Sequence, residues 1–347
     1  MRYLFYIAKL YSISIVQPLI DLLEEENRDW ALYVSRRVHA SLPQSLKDKQ
    51  VFSNLAEARA YNPEFVLVPG NFVDHRIPGI KVQIFHGLGV EKAAHFKNRG
   101  FFDVYLTSGP YVTQRFIQMR ARNPYFEVIE TGWLKIDAIL NFDITNLRER
   151  LNVPASKRVI LYAPTFSRKM ESAAELASVI PNIIRDDEYW LFKFHELMPK
   201  ELIAPYKAIA PTRGKIYEGN DINPCLHLAD VMISDTSSVV YEFYALDKPV
   251  ITFKALERPQ KALDIRDPAL LREAIYRCLD DADDLKSIRA KAIAEVNPYL
   301  DASIAKRTLR ALEGLDRKIF PKPGKPANLF RKAQIIWHGL VKKGYLR

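Results

Sequence analysis

The chain has 347 residues, 48% of them apolar, which suits about two domains with real cores and argues against extensive disorder. Its two cysteines, Cys225 and Cys278, are too few for a disulfide framework or a zinc cluster and fit a reducing cytoplasm. Of the net charge of +10, residues 315–347 contribute nine Lys/Arg against one acid, so the basicity belongs to a tail and argues against a nucleic-acid channel through the body.

The N-terminal stretch MRYLFYIAKLYSISIVQPLI is apolar, but Lys9 interrupts it and the acidic DLLEEEN follows without a small-residue cleavage site. Tyr3–Ala8 is expected as a first strand and Val16–Glu26 as the helix after it. Further strands are expected at Phe65–Pro69, Val82–Phe85, Val104–Thr107, Val128–Glu130, Val159–Tyr162, Trp190–Phe194, Ile216–Tyr217, Val231–Ser234 and Val250–Phe253. Helical patterns fit between most of them, such as Glu171–Ile180 (ended by Pro181) and Leu270–Asp280. Strands alternating with helices imply βαβ units and parallel sheets.

The segment FDITNLRERLNVPASKR (142–158) is charged and lacks an apolar strand, so it reads as a boundary. The expected organisation is an α/β chain of two Rossmann-like, doubly wound domains, 1–150 and 151–314, facing a cleft. A basic tail, 315–347, would follow through the linker FPKPGKP. No run approaches the roughly 20 apolar residues that span a bilayer, so a soluble or peripheral protein is expected.

Doubly wound sheets bind ligands at the carboxyl ends of their strands. His86, His195, Thr165 to Arg168 and Ser234 to Ser238 all follow apolar strand runs. In VMISDTSSVVYEF (231–243) a strand ends in Asp235, Thr236, Ser237 and Ser238, and a helix follows. Unpaired backbone N–H groups and three hydroxyls there suit a diphosphate. Glu242, one turn on, suits a ribose diol, while Asp235 would hold the loop or partner a basic residue. Ser and Asp at a helix start also serve as ordinary N-caps. FHGLGVEK lacks the third glycine of a dinucleotide fingerprint; Gly87 is expected to turn the chain tightly and leave the His86 imidazole free.

Taken in order, FHGLGVEK, TGWLKID, LYAPTFSR, FKFHE and ISDTSSVVYEFYALDKPVITF resemble the CDP-glycerol glycerophosphotransferases, the primases and polymerases of teichoic-acid and related capsule synthesis. NPYLDASIAKRTLRAL (297–312) resembles that family's closing helix, and the likeness covers about residues 80 to 312. The resemblance implies a GT-B fold and transfer of glycerol phosphate, or a related polyol phosphate, from a CDP-activated donor to an acceptor hydroxyl. It implies His86 as general base, with His195, Arg168, Thr236, Ser237 and Ser238 on the donor diphosphate and Glu242 on the ribose. Asp235, Gly87, Thr165 and Asp137 would support them. The chain departs from the family pattern at Phe85 and Leu88 around the histidine, at Phe166-Ser167-Arg168, which is one residue longer than usual, and at Thr236 and Glu242. A glycosyltransferase or sugar-nucleotide epimerase using a UDP-sugar, or a non-catalytic membrane-associated binding protein of a polymer-assembly complex, are the alternatives.

From Leu329 the apolar positions 329, 330, 333, 336, 337, 340 and 341 form a helical stripe amid Arg331, Lys332, Lys342, Lys343 and Arg347, ending in Tyr345. Such a helix either lies on an anionic membrane surface or packs its stripe on the first domain. The first option suits an enzyme at the inner face of the cell membrane that extends a lipid-linked or polymeric acceptor. His39 and His95 read as surface or loop histidines, His227 as core, and DDADD (280–284) as a solvated loop. No metal-ligand spacing appears; an Mg²⁺ ion carried by the donor diphosphate stays compatible with the sequence.

Overall fold

Strand pairing is parallel throughout the computed structural model, which describes residues 1–280 and 282–341. The first sheet comprises β1 (Arg2–Ile7), β2 (Asp29–Val34), β3 (Val51–Phe52), β4 (Phe65–Val68), β5 (Ile80–Gln83), β6 (Val104–Thr107) and β7 (Glu127–Glu130), in the order β3-β2-β1-β4-β5-β6-β7. The second comprises β8 (Arg158–Tyr162), β9 (Glu188–Phe192), β10 (Gly214–Ile216), β11 (Val231–Ser234), β12 (Val250–Phe253) and β13 (Leu263–Ile265), in the order β10-β9-β8-β11-β12-β13. Both contain the doubly wound 3-2-1-4-5-6 order, with its reversal between β1 and β4 and between β8 and β11. Parallel strands covered on both faces demand unbroken apolar runs, and Phe65–Val68 and Val231–Ile233 are wholly buried.

All ten strands expected from the sequence are present, with ends shifted by up to two residues; β2, β3 and β13 are additional. The expected helix 171–180 is instead two single turns, Ala173–Leu176 and Ile180–Ile183. Pro181 sits in the first turn of the second, where its missing N–H costs nothing, so it starts a helix rather than ending one. Asp283 and Asp284, expected in a loop, occupy the first turn of Asp283–Val296, a favourable place for acids against the helix dipole; Asp281 lies outside the described residues.

The chain forms two compact units: Met1–Gly87, Ala93–Ala138 and the residues from Asn297 on make the first, and Leu88–Lys92 with Ile139–Val296 the second. This differs from a division near 150 and from the assignment of 297–314 to the second half. The helix Ile304–Glu313 is tied to the first unit by polar contacts. The Asp137 carboxylate accepts the N–H groups of Ile304 (3.1 Å) and Ala305 (2.8 Å), and Asn297 Oδ1 accepts Trp133 N–H (2.8 Å). At Gly132, with φ +91°, an added Cβ would come within 2.9 Å of the Ile304 side chain, so glycine fits best there. Ile139–Val296 belong with the second sheet, where His227 Nε2 lies 2.7 Å from the Ile139 carbonyl and its ring stacks on Phe142.

The helix Leu329–Val341 forms as expected. It buries Ile335, whereas Leu329, Phe330, Ile336 and Trp337 are exposed, so this part of the stripe does not pack on the first unit. The stripe side chains at 340 and 341, with Lys342, Lys343, Tyr345 and Arg347, lie outside what is described. Among the described residues no helix is long and apolar enough to cross a membrane.

Candidate functional site

In the second unit the strand order reverses between β8 and β11, and the loops leaving these strands are joined by polar bonds. Ser234 Oγ donates to the Ala163 carbonyl (2.7 Å). Asp235, fully buried, accepts Thr165 N–H on both oxygens (2.9 and 3.1 Å) and Ser172 N–H and Oγ–H on Oδ2 (3.0 Å each). Burial pushes the Asp235 carboxyl up to about 7, against the pull of these bonds and of the Lys261 charge. Of the two roles open to it, Asp235 therefore takes that of loop holder. Ser172, which the sequence reading passed over, also bonds Tyr162 Oη (2.9 Å).

Thr236 is fully buried and its hydroxyl accepts Leu256 N–H (3.0 Å), which fixes the loop from its other side. Ser237 and Ser238 are half-buried. Ser238 stands at the N-cap of Val239–Tyr244 without a side-chain capping bond, and Ser237 Oγ accepts Val239 N–H only at 3.5 Å. Ordinary N-capping thus does not account for the two hydroxyls. The helix has six residues, so its dipole is short and donors on side chains matter more. Glu242 lies in its first turn and is buried.

His195 is exposed at the end of β9, and its Nδ1 accepts Leu197 N–H (3.1 Å). A neutral ring held this way carries its proton on Nε2. The Phe166 ring lies 4.3 Å from the His195 ring and follows Thr165, so the Asp235 network and His195 meet through one dipeptide. Arg168 departs from this cluster: its side chain is 82% exposed and its guanidinium pairs with Glu201 at 3.7 Å.

The same unit contains a buried charged cluster that the sequence did not reveal. Lys261 Nζ and Glu91 Oε1 are 2.8 Å apart with almost no exposure, and Tyr241 Oη donates to the same oxygen (2.6 Å). Burial lowers the Lys261 pKa, and Glu91 opposes that shift. Glu91 belongs to the FHGLGVEK motif, yet nothing in the spacing announces a partner 170 residues away.

In the first unit His86 follows β5 and is exposed. The residue that turns the chain is Phe85, in the left-handed region at φ 58°, whereas the positive-φ glycines are Gly79, Gly100, Gly132 and Gly324. Gly87, expected to let the chain turn tightly, is not among these positive-φ residues. A large side chain persists in this region only when its surroundings hold it. Its ring stacks on His95 (4.7 Å) and meets Phe116 edge-on (5.4 Å), and its carbonyl accepts the Trp133 indole N–H (3.2 Å). His95 is thus a packing residue between Phe85 and Phe96, not a surface histidine; burial, with the charge of His86 adding to it, holds its pKa down at about 3.

In TGWLKID it is Trp133 that supports the backbone preceding His86. Asp137 instead caps the helix Ile304–Glu313; burial raises its pKa and the two N–H bonds lower it. Among the described residues no group of three His, Cys, Asp or Glu side chains could hold a metal ion.

Comparison with known proteins agrees with this architecture. The chain is 27% identical over 272 residues to a teichoic acid poly(ribitol-phosphate) polymerase of Bacillus spizizenii, covering 67% of this chain and 41% of that protein. It spans about half the length, or less, of the curated relatives it matches. The wall teichoic acid polymerase TagF superposes with a TM-score of 0.68 at 14% identity, over 91% of this chain and 89% of that one, and has also been solved after a CDPG soak. A putative UDP-N-acetylglucosamine 2-epimerase of Listeria monocytogenes superposes at 0.65 with 18% identity, over 91% and 98%. At such identities the likeness concerns the fold, two doubly wound parallel sheets of GT-B type. Residues 83–257, just over half of the chain, match the model of the CDP-glycerol:poly(glycerophosphate) glycerophosphotransferases, and the chain belongs to that family.

Proposed function

We propose that the chain transfers glycerol phosphate, or a related polyol phosphate, from a CDP-activated donor to an acceptor hydroxyl in the synthesis of a teichoic-acid-like or capsular polymer. The observation that carries this reading is the pair of loops at the β8–β11 reversal, tied by Asp235, where Ser237 and Ser238 keep hydroxyls that capping does not occupy. With His195 Nε2–H they are the donors for the diphosphate, and Glu242 is the acceptor for the ribose. Thr236 and Thr165 act through the backbone they fix, and Arg168 is left outside.

His86 takes the proton as the acceptor oxygen forms its bond to the polyol phosphorus. The bond from that phosphorus to the bridging oxygen breaks, and CMP leaves with the electron pair. An imidazole with an ordinary pKa near 6.5 suits that task at neutral pH. Oriented N–H and O–H groups stabilise the charge on the phosphoryl oxygens. Mg²⁺ arriving with the donor is tested by the effect of EDTA. The reading carries a cytoplasmic location at the inner face of the membrane, where a lipid-linked or polymeric acceptor is presented.

CMP release from CDP-glycerol, dependent on an added acceptor, is the expected result. The epimerase-like fold favours a second reading, a UDP-sugar enzyme. UDP release or epimerisation without CMP formation would replace the first reading with the second. Nucleotide binding without turnover of any donor would leave a binding protein.

A further inference from the structure

The chain passes from the first unit to the second between Gly87 and Leu88, just after His86, and returns after Lys92. The peptide Leu88–Lys92 is only turns and bends. Two of its backbone bonds close on itself: Val90 N–H to the Leu88 carbonyl (2.9 Å) and Lys92 N–H to the Gly89 carbonyl (3.0 Å). Its apolar side chains, Leu88 and Val90, are buried, but apolar burial is non-directional and fixes no orientation. Directed bonds to the rest of the second unit come from Glu91.

Glu91 Oε1 takes Lys261 Nζ at 2.8 Å and Tyr241 Oη at 2.6 Å. Tyr241 lies on the helix Val239–Tyr244, which starts just after Ser237 and Ser238, and Tyr244 Oη donates to the Lys261 carbonyl (2.6 Å). Lys261 lies in the connection between β12 and β13, the same connection in which Leu256 N–H binds Thr236. One carboxylate oxygen thus ties the peptide that follows His86 to both elements that flank Thr236, Ser237 and Ser238. Stability alone is a poor reason for such a cluster. Glu91 Oε2 is buried without a hydrogen-bond partner, and apolar residues of similar volume often replace a buried ion pair without loss. What the charged pair adds over apolar packing is direction.

We propose that Glu91 is a positioning residue for the transfer. By clamping Leu88–Lys92 to Lys261 and Tyr241 it fixes one end of the loop that carries His86, while the Trp133 bond to the Phe85 carbonyl fixes the other. The inference rests on the reading of His86 as general base, and it places the contribution of Glu91 in turnover rather than in donor affinity. A base held loosely reaches the attacking geometry less often, and a misplacement of about 1 Å costs about a hundredfold in rate.

The discriminating variant is the double substitution Lys261→Met with Glu91→Leu, which removes the clamp and leaves no buried charge behind. Its denaturant midpoint is expected near that of the wild type. Its kcat for CMP release is expected to fall about ten- to hundredfold, with the donor KM within about twofold. The pH dependence of kcat/KM keeps its limb near about 6.5, since His86 still titrates. Tyr241→Phe removes one bond and keeps the ion pair, so kcat should fall only several-fold. Amide hydrogen exchange at residues 88–92 is expected to speed up in the double variant, with the strands of both sheets protected as before. Wild-type kcat in the folded double variant, or in Tyr241→Phe if the double variant does not fold, would overturn the proposal. So would unchanged exchange at 88–92, or a rise in KM with kcat intact, which would assign the cluster to donor binding. Failure of the transfer reading shows separately, as a wild type that releases no CMP from CDP-glycerol; exchange then still decides whether Glu91 anchors the peptide.

Discussion

The two sheets share a strand order but fix their functional loops by opposite means. After β5 the chain is held by aromatic packing: Phe85 sits in a left-handed conformation between His95 and Phe116, with its carbonyl bound by Trp133. After β11 it is held by a buried carboxylate that gathers N–H and O–H groups from a neighbouring loop. Each method suits the chemistry next to it. Aromatic support fixes the backbone that precedes His86. The carboxylate is satisfied by donors of the neighbouring loop, so the hydroxyls of Ser237 and Ser238, which lie beyond it, can be directed at an anion.

The largest expected effect tests the first half of this contrast. His86→Ala should lower transfer by about a hundred- to ten-thousand-fold, the usual range for a general base. Its melting temperature and its affinity for the donor nucleotide should stay unchanged, because the side chain is exposed and the donor groups proposed for the diphosphate lie in the second unit. Weakened nucleotide binding would assign His86 to ground-state recognition instead.

Buried polar fixation predicts larger stability losses in the second unit. Lys261→Met leaves Glu91 buried without its cation and should cost about 3–5 kcal/mol in denaturant unfolding, with much of the loss recovered on adding Glu91→Leu. A near-neutral single variant would mean that the cluster carries no buried charge. Asp235→Asn should cost about 1–3 kcal/mol, since its amide turns a donor toward groups that themselves donate.

The pH dependence has a definite sign. With its pKa raised from 3.8 to about 7, native Asp235 keeps a proton that the unfolded chain has released. Its contribution is greatest below about pH 4, falls as pH rises, and is flat above about 7. Subtracting the Asp235→Asn profile from the wild-type profile should expose this slope. A difference that rises with pH would mean that the loop bonds outweigh burial.

Much of this was legible because buried parallel strands must be apolar, and polar residues that follow them stand out. Ile233 to Ser238 is such a case. The short edge strands β3 and β13 were not, because two or three residues establish no pattern and their identity lies in the partner strand. Ala31 to Val34 in β2 carried a usable signal that the reading left unassigned. The left-handed conformation of Phe85 was not legible, because propensity favours glycine there and tertiary packing overrides propensity. Partners remote in sequence, such as Glu91 with Lys261 or Asp137 with Ala305, lie beyond any local pattern.

Arg168 gives the smallest expected effect. Family resemblance points to it as a phosphate ligand, yet its motif is one residue longer than usual and the guanidinium pairs with Glu201 at 3.7 Å with both side chains largely exposed. Exposed pairs contribute about 0–1 kcal/mol, so Arg168→Ala should leave stability within that margin and the donor KM within about twofold. A contact with the diphosphate would behave differently, since hydrogen bonds to charged groups contribute about 1.5–3 kcal/mol, a ten- to hundredfold rise in KM. The two outcomes lie far enough apart for steady-state kinetics to separate. A large rise would mean that the side chain leaves Glu201 when donor binds, so that the second unit fixes its loop by polar bonds yet recruits one of its ligands by motion.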